Sequence, residues 1–312
     1  MRTDSFWFEA DDDKRLFVHR FLPDEGTALR AVMHVAHGMA EHGARYARLA
    51  EALTKLGFAV YADDHRGHGK TAATDAELGH LGDEGGFARV LRDLTALLAR
   101  HRSEHPDLPL VFMGHSMGSY FVQAYLLDGG EGLAAAVLSG TSGKPSLLAS
   151  AGRLVARAER ARLGPRGKSK LLGDLSFGAF NKAFAPTRTD FDWLSRDPAE
   201  VDAYVADPRC GFDVTTSTWV EVLDALAHNA DPKRRAGLRK DLPIYVFSGS
   251  EDPVGERTHA VDRLLAAYKG AGLTRVAHRY YAGARHETLN ETNRDEVTRD
   301  LVQWLRESVH GI

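Results

Sequence analysis

The 312-residue chain is poor in several things that would narrow its class. It has one cysteine, Cys210, so no internal disulfide can form, and a reducing, cytoplasmic setting is the expectation. No run approaches the roughly 20 apolar residues of a spanning helix. The opening "MRTDSFWFEADDDKR" lacks the apolar stretch of a secretory leader. Charge of one sign is missing too: the formal net charge is −3, which gives no case for nucleic acid or a strongly acidic partner. Internal repeats and low-complexity tails are absent.

What is present is an alternation. "RLFVHRFLP" and "LRAVMHVAHG" read as strands, and with no helix between them they are expected to form an antiparallel hairpin at one sheet edge. "RYARLAEALTKLGF" places Tyr46, Leu49, Ala50, Leu53 and Leu56 on one helical face. "FAVYADD", "LPLVFMG", "LAAAVLSG", "LPIYVFSGS" and "TRVAHRYYAG" are further strands, separated by helical segments. Near-continuous apolar strands suit a parallel sheet covered on both faces. Residues 142–232 break the rhythm with helical pieces and no good strand. The expectation is therefore a core of residues 1–141 and 233–312, with a helical cap inserted at 142–232.

The chemistry collects at strand ends. G-H-S-M-G, residues 114–118, follows a buried strand and precedes an amphipathic helix, the context in which G-x-S-x-G carries a nucleophile. Ser116 needs a base, because a serine hydroxyl is a weak nucleophile at neutral pH. His286 lies one loop after the last strand. Asp252, in "SGSEDPVG", lies one loop after the strand before it, with Glu251 as the competing acid. The order Ser, acid, His is that of the hydrolases. Backbone N–H groups of Met117 and Met39 are the candidate oxyanion donors. Gly38 and His115, beside them, are candidates for substrate contact.

"HGMAEHGARY", "DDHRGHGKT", "GHSMGS", "SGSEDPVG" and "ARHETLNE" occur in this order, spread over about 250 residues. Together they resemble the monoacylglycerol lipase and lysophospholipase branch of the α/β-hydrolases. The resemblance implies a mostly parallel eight-stranded sheet with helices on both faces and a helical cap. It also implies a serine esterase acting on single-chain lipid esters through an acyl-enzyme, with no metal or organic cofactor. Ser116, Asp252 and His286 match the family triad, and Met39 and Met117 its oxyanion positions. Glu41 and Arg45 fall where the family shapes the polar, glycerol end of the site; a structural ion pair is the competing reading. Arg66 and His68 are expected to hold their turn together. A thioesterase or other small-ester hydrolase on the same triad, or a non-catalytic receptor on this fold, are the alternatives.

Inside the inserted segment, Lys144, Arg153, Arg157, Arg160, Arg162, Arg166, Lys168 and Lys170 face only Glu159, with Leu147, Leu148, Leu154 and Val155 interleaved. This permits transient contact with an anionic membrane surface; a solvated basic face is the plainer reading. "TRTDFDWLSRD" offers no chemistry beyond turns and capping.

Overall fold

The computed structural model describes residues 1–145 and 147–312, and side chains outside 146–150. Its centre is one eight-stranded sheet in the order β1-β2-β4-β3-β5-β6-β7-β8. The strands are β1 (Arg2–Glu9), β2 (Arg15–Leu22), β3 (Ala31–Ala36), β4 (Phe58–Asp63), β5 (Leu110–His115), β6 (Ala135–Ser139), β7 (Ile244–Gly249) and β8 (Val276–Tyr281). From β4 through β8 all pairings are parallel; β1–β2 and β2–β4 are antiparallel.

This arrangement corrects the expected edge hairpin. The hairpin is formed by β1 and β2, while β3 lies inside the sheet between β4 and β5. β1 sits at the edge and exposes most of its side chains, Trp7 among them, so its stretch carries no clear apolar period. β3, β4, β5, β6 and β7 are buried along their whole length.

The helices of the sheet layers are α1 (Ala47–Thr54), α2 (Gly86–Glu104), α3 (Met117–Leu127), α10 (His259–Gly270) and α11 (Arg294–Ser308). Two apolar clusters result. One packs Val90, Leu94 and Leu98 of α2 with Phe121 and Val122 of α3 against one sheet face. The other packs Leu49 and Leu53 of α1 with Val297 and Leu301 of α11 against the opposite face.

Between β6 and β7 lie α4 (Leu147–Leu163), α5 (Lys170–Gly173), α6 (Ala179–Lys182), α7 (Pro198–Ala206), α8 (Thr216–Asn229) and α9 (Pro232–Arg235), with no strand of the sheet among the described residues. α4 packs on α8. α8 also sends Val222 and Ala225 into the main core, so this helix joins the insertion to the sheet layers. Leu147 and Leu148 have side chains outside the described set. Among the described residues no helix is long and apolar enough to cross a membrane.

Candidate active site

β5 ends at His115, and the chain turns into α3 through Ser116, whose backbone stands at φ 50°, ψ −120°. A non-glycine residue at positive φ is strained and persists only where its surroundings enforce it. Here they do. A Cβ on Gly114 would lie 2.4 Å from the Gly118 carbonyl oxygen, and one on Gly118 would lie 2.0 Å from the Ala36 oxygen. Both glycines are thus required by the close approach of β3, β5 and α3. The turn lifts the Ser116 side chain into a cleft of about 360 Å³, lined also by Gly38, Met39, His115, Trp193 and His286.

His286 Nδ1 is 2.9 Å from Asp252 Oδ1. Asp252 is fully buried and further accepts the Val254 N–H at 2.9 Å and the Ser248 hydroxyl at 3.1 Å. Burial favours its neutral form, but the adjacent His286 overrides this and holds the carboxyl below its usual value. Burial likewise opposes the charged form of His286; Asp252 wins and its pKa is raised. Glu251 points elsewhere, half exposed, and pairs with Arg257 at 3.3 Å. Between the two acids, Asp252 is the one that holds the histidine. Among the described residues Ser116 Oγ has no hydrogen-bond partner, although it shares the cleft with His286.

In the turn after β3 the N–H groups on either side of Met39 are taken. The Gly38 N–H donates to Glu41 Oε1 at 2.5 Å and the Ala40 N–H to His68 Nε2 at 3.2 Å. The Ala40 carbonyl, on a residue at φ 56°, accepts from the Gly211 N–H and the Tyr204 hydroxyl. The Met39 N–H between them meets no acceptor among the described residues, nor does that of Met117, first residue of α3. Both stand beside Ser116 as free donors, the second reinforced by the positive end of the helix.

Glu41 and Arg45 form the ion pair that was the competing reading, and Glu41 also lines the Ser116 cleft. Arg45 does not line the Ser116 cleft. Its Nη1 is 2.6 Å from both Glu41 Oε2 and Glu287 Oε1, and its Nη2 is 2.7 Å from Glu287 Oε2. Glu41 also takes the Tyr46 hydroxyl at 2.8 Å. Burial pushes the Glu41 carboxyl up, yet Arg45 outweighs it and brings it down to about 2. His115 is pressed down to about 4, first by burial and then by the neighbouring His286, so it stands neutral, 3.1 Å from Ser139 Oγ. Arg66 holds its turn as expected, gripping Asp93 and Asp12 with paired bonds of 2.6–2.8 Å.

One group, Glu287, went unread in the sequence. Glu287, next to His286, is the second carboxylate on Arg45; the acid following the histidine in "ARHETLNE" was the available signal. Trp193 is buried against His286, ring centroids 5.0 Å apart, with an indole N–H that has no partner among the described residues. As for metals, His19, His42 and Asp64 bring ligand atoms within 4.8 Å of one another. Asp64 is already occupied by the Gly43 and Lys70 N–H groups and by His19, and His42 faces Asp207 at 2.9 Å.

The cations of α4 and of the turn after it are paired as well. Arg153 and Arg157 grip Asp224, Arg162 grips Glu159, and Arg166 grips Asp83.

A parallel sheet with this serine elbow, and with helices inserted after β6, defines an α/β-hydrolase. Residues 27–293 match the family described as "Serine aminopeptidase, S33", and the chain belongs to that family. It is 33% identical to a monoacylglycerol lipase of Mycolicibacterium smegmatis, over 93% of this chain and 92% of that protein. It is 29% identical to the monoglyceride lipase of Rattus norvegicus, over 90% and 86% of the two chains. Among solved structures, a thermostable carboxyl esterase of Bacillus coagulans in complex with glycerol superposes with a TM-score of 0.89 at 27% identity, covering 99% of both chains.

Proposed function

We propose that the protein hydrolyses carboxylic esters of single-chain lipids, with Ser116 as nucleophile, His286 as general base and acid, and Asp252 as its orienting partner. The observation that carries this reading is the elbow at Ser116, with a buried Asp252–His286 pair and two free backbone N–H groups gathered around it.

Ser116 Oγ attacks the ester carbonyl while His286 Nε2 takes its proton. The carbonyl oxygen, now negative, is met by the Met39 and Met117 N–H groups, which need no reorganisation. Collapse of the tetrahedral species expels the alcohol, which receives the proton back from His286. A water repeats the sequence on the acyl-enzyme and frees the fatty acid. Phe177, Phe191, Trp193 and Leu194 give the cleft an apolar wall suited to an acyl chain, and residues 142–232 act as the cap above it.

The polar side of the cleft favours a neutral alcohol. Glu41 and Glu287 line it, while Arg45, which pairs with both, stands outside the lining, and burial strengthens the carboxylates' field. A glycerol leaving group is accommodated at less cost than a phosphate-bearing one, so monoacylglycerol is placed ahead of lysophospholipid. The paired cations of α4 favour a solvated cap surface over lipid head-group contact.

The test is Ser116→Ala assayed on a p-nitrophenyl ester and on 1-monoacylglycerol beside lysophosphatidylcholine. Turnover is expected to drop about 10⁶-fold in kcat, and wild type to prefer the monoacylglycerol in kcat/KM. Substantial activity left in the alanine variant would overturn the mechanism. A preference for the lysophospholipid would overturn the substrate order alone.

A further inference from the structure

Behind the Met39 turn lies a line of buried polar side chains that the catalytic steps do not use. Asp63, at the end of β4, and His34, His37, His65, His68 and His101 are each at most 1% exposed. They are joined in sequence. His101 Nε2 is 3.0 Å from His34 Nδ1, and His34 Nε2 is 3.0 Å from Asp63 Oδ1. Asp63 Oδ2 is 2.7 Å from His65 Nδ1, and His65 Nε2 is 3.2 Å from the His37 carbonyl. The rings of His37 and His65 stack at 3.9 Å.

The protonation states follow from these partners. His65 meets an acceptor at both ring nitrogens, a carboxylate and a carbonyl, so both must carry hydrogen and the ring is an imidazolium. His37 has the opposite requirement. Its Nε2 accepts the His65 backbone N–H at 3.0 Å, and its Nδ1–H donates to the Gly38 carbonyl at 2.7 Å, so it is neutral with one fixed tautomer. His68 is neutral for the same reason, accepting from the Ala40 N–H and donating to the Arg66 carbonyl at 2.9 Å. The electrostatics agree. Burial works against the cation in all three, and only His65, with Asp63 alongside, is raised; His37 and His68 are lowered, the latter to about 4.

We propose that Asp63 and His65 are positioning residues: their buried ion pair holds His37 in the tautomer that, together with His68, sets the Gly38–Met39–Ala40 turn and leaves the Met39 N–H free for the oxyanion. The pair touches no substrate atom. It acts through the turn, because the His65 backbone and ring close on both ends of His37, and His37 closes on Gly38. With Asp63 neutral the cation loses its counter-charge, His65 gives up one proton, and the bond to the His37 carbonyl or to residue 63 is lost. The turn then relaxes, and a displaced oxyanion donor weakens catalysis without weakening ground-state binding.

This inference rests on the proposed esterase reading, and its test separates the two. Asp63→Asn and the double variant Asp63→Asn/His65→Gln are compared with wild type on a p-nitrophenyl ester. Intact sites are counted by the end point of fluorophosphonate labelling, and amide hydrogen exchange of residues 37–41 is followed by mass spectrometry. The double variant removes both buried charges, so it keeps the test open where the single variant folds poorly. The expected result is kcat per labelled site reduced about 10- to 100-fold, KM within twofold, and exchange in 37–41 accelerated roughly tenfold beyond the rest of the sheet. Wild-type exchange in that segment overturns the inference whatever the turnover does. Accelerated exchange with wild-type kcat overturns it as well. Failure of the esterase reading shows separately, as Ser116-independent hydrolysis in wild type.

Discussion

Two regions of this molecule are rich in charge and use it differently. From α4 to the start of α5, Arg157, Arg162, Arg166 and Lys170 are half exposed or more, and Asp83 and Asp174, partners of the last two, are half exposed as well. Beneath the site, Arg45, Glu41 and Glu287 form a buried triad, and Asp252 pairs with His286 without contact with water. Exposed pairs in high dielectric are worth little, while a buried charge that loses its partner is costly. The difference teaches that density of charge along a chain is a poor guide to its importance. The basic run of 144–170 looks uncompensated only because Asp83 and Asp224 are distant in sequence. The isolated Arg45 turns out to join the Met39 turn to the His286 loop.

The adjacent acids Glu251 and Asp252 give the sharpest break point. Asp252→Asn is expected to lower kcat about 10⁴-fold, since the amide favours the wrong imidazole tautomer. Glu251→Gln should leave steady-state kinetics near wild type. A similar loss in both would erase the contrast between buried and exposed acids. Next comes Arg45→Met, which strands two carboxylates and should cost about 3–5 kcal/mol in urea unfolding. A cost under 1 kcal/mol would mean that water reaches the triad.

The pH profile refines the same contrast. His286 acts as a base only when neutral, and its raised pKa puts the acid limb of kcat/KM above 6.5. In Asp252→Asn burial is opposed only by the weaker pull of Glu287 and Glu41, so the limb of the residual activity should move to lower pH. The stability signs are opposite. The raised His286 stabilises the fold fully below pH 6.5, and this is lost as pH rises through the raised value, while its partner Asp252, held below 3.8, loses its share in stronger acid. Glu41, held at about 2 against 4.5, stabilises the fold above pH 4.5, and that contribution drains away as pH falls toward 2. Thermal unfolding across pH in wild type and Glu41→Gln reads the second of these directly. The smallest effect is expected from Arg157→Ala, below about 1 kcal/mol and vanishing in high salt. A larger loss would place α4 among the elements that hold the molecule together.

Much of this could be read from the residues, for physical reasons. Interior strands such as "LPLVFMG" are apolar throughout because both faces are covered, and G-H-S-M-G needs its glycines because two backbones nearly touch there. β1 escaped because an edge strand with exposed side chains has no periodicity to detect. The neighbours of β3 escaped because sequence order does not reveal which strand inserts between which. In the site, Ser116 and His286 announce themselves by position. Glu287, Asp63 and His65 do not, because their roles come from partners such as Arg45, 242 residues away in the first case, and from which lone pairs face which hydrogens.

"TRTDFDWLSRD", which gave no chemistry as a string, forms a seam with the final loop. The His286 and Glu287 N–H groups donate to the carbonyls of Trp193 and Leu194. Ser195 Oγ donates to the Asn290 carbonyl, Arg196 pairs with Glu291, and Arg294 pairs with Asp197. For anyone recombining parts between relatives, the natural crossover therefore lies before residue 190 and not at the borders of the insertion. A chimera that imports a foreign 192–197 imports a foreign setting for His286, and would change its chemistry while appearing to change only its substrate door.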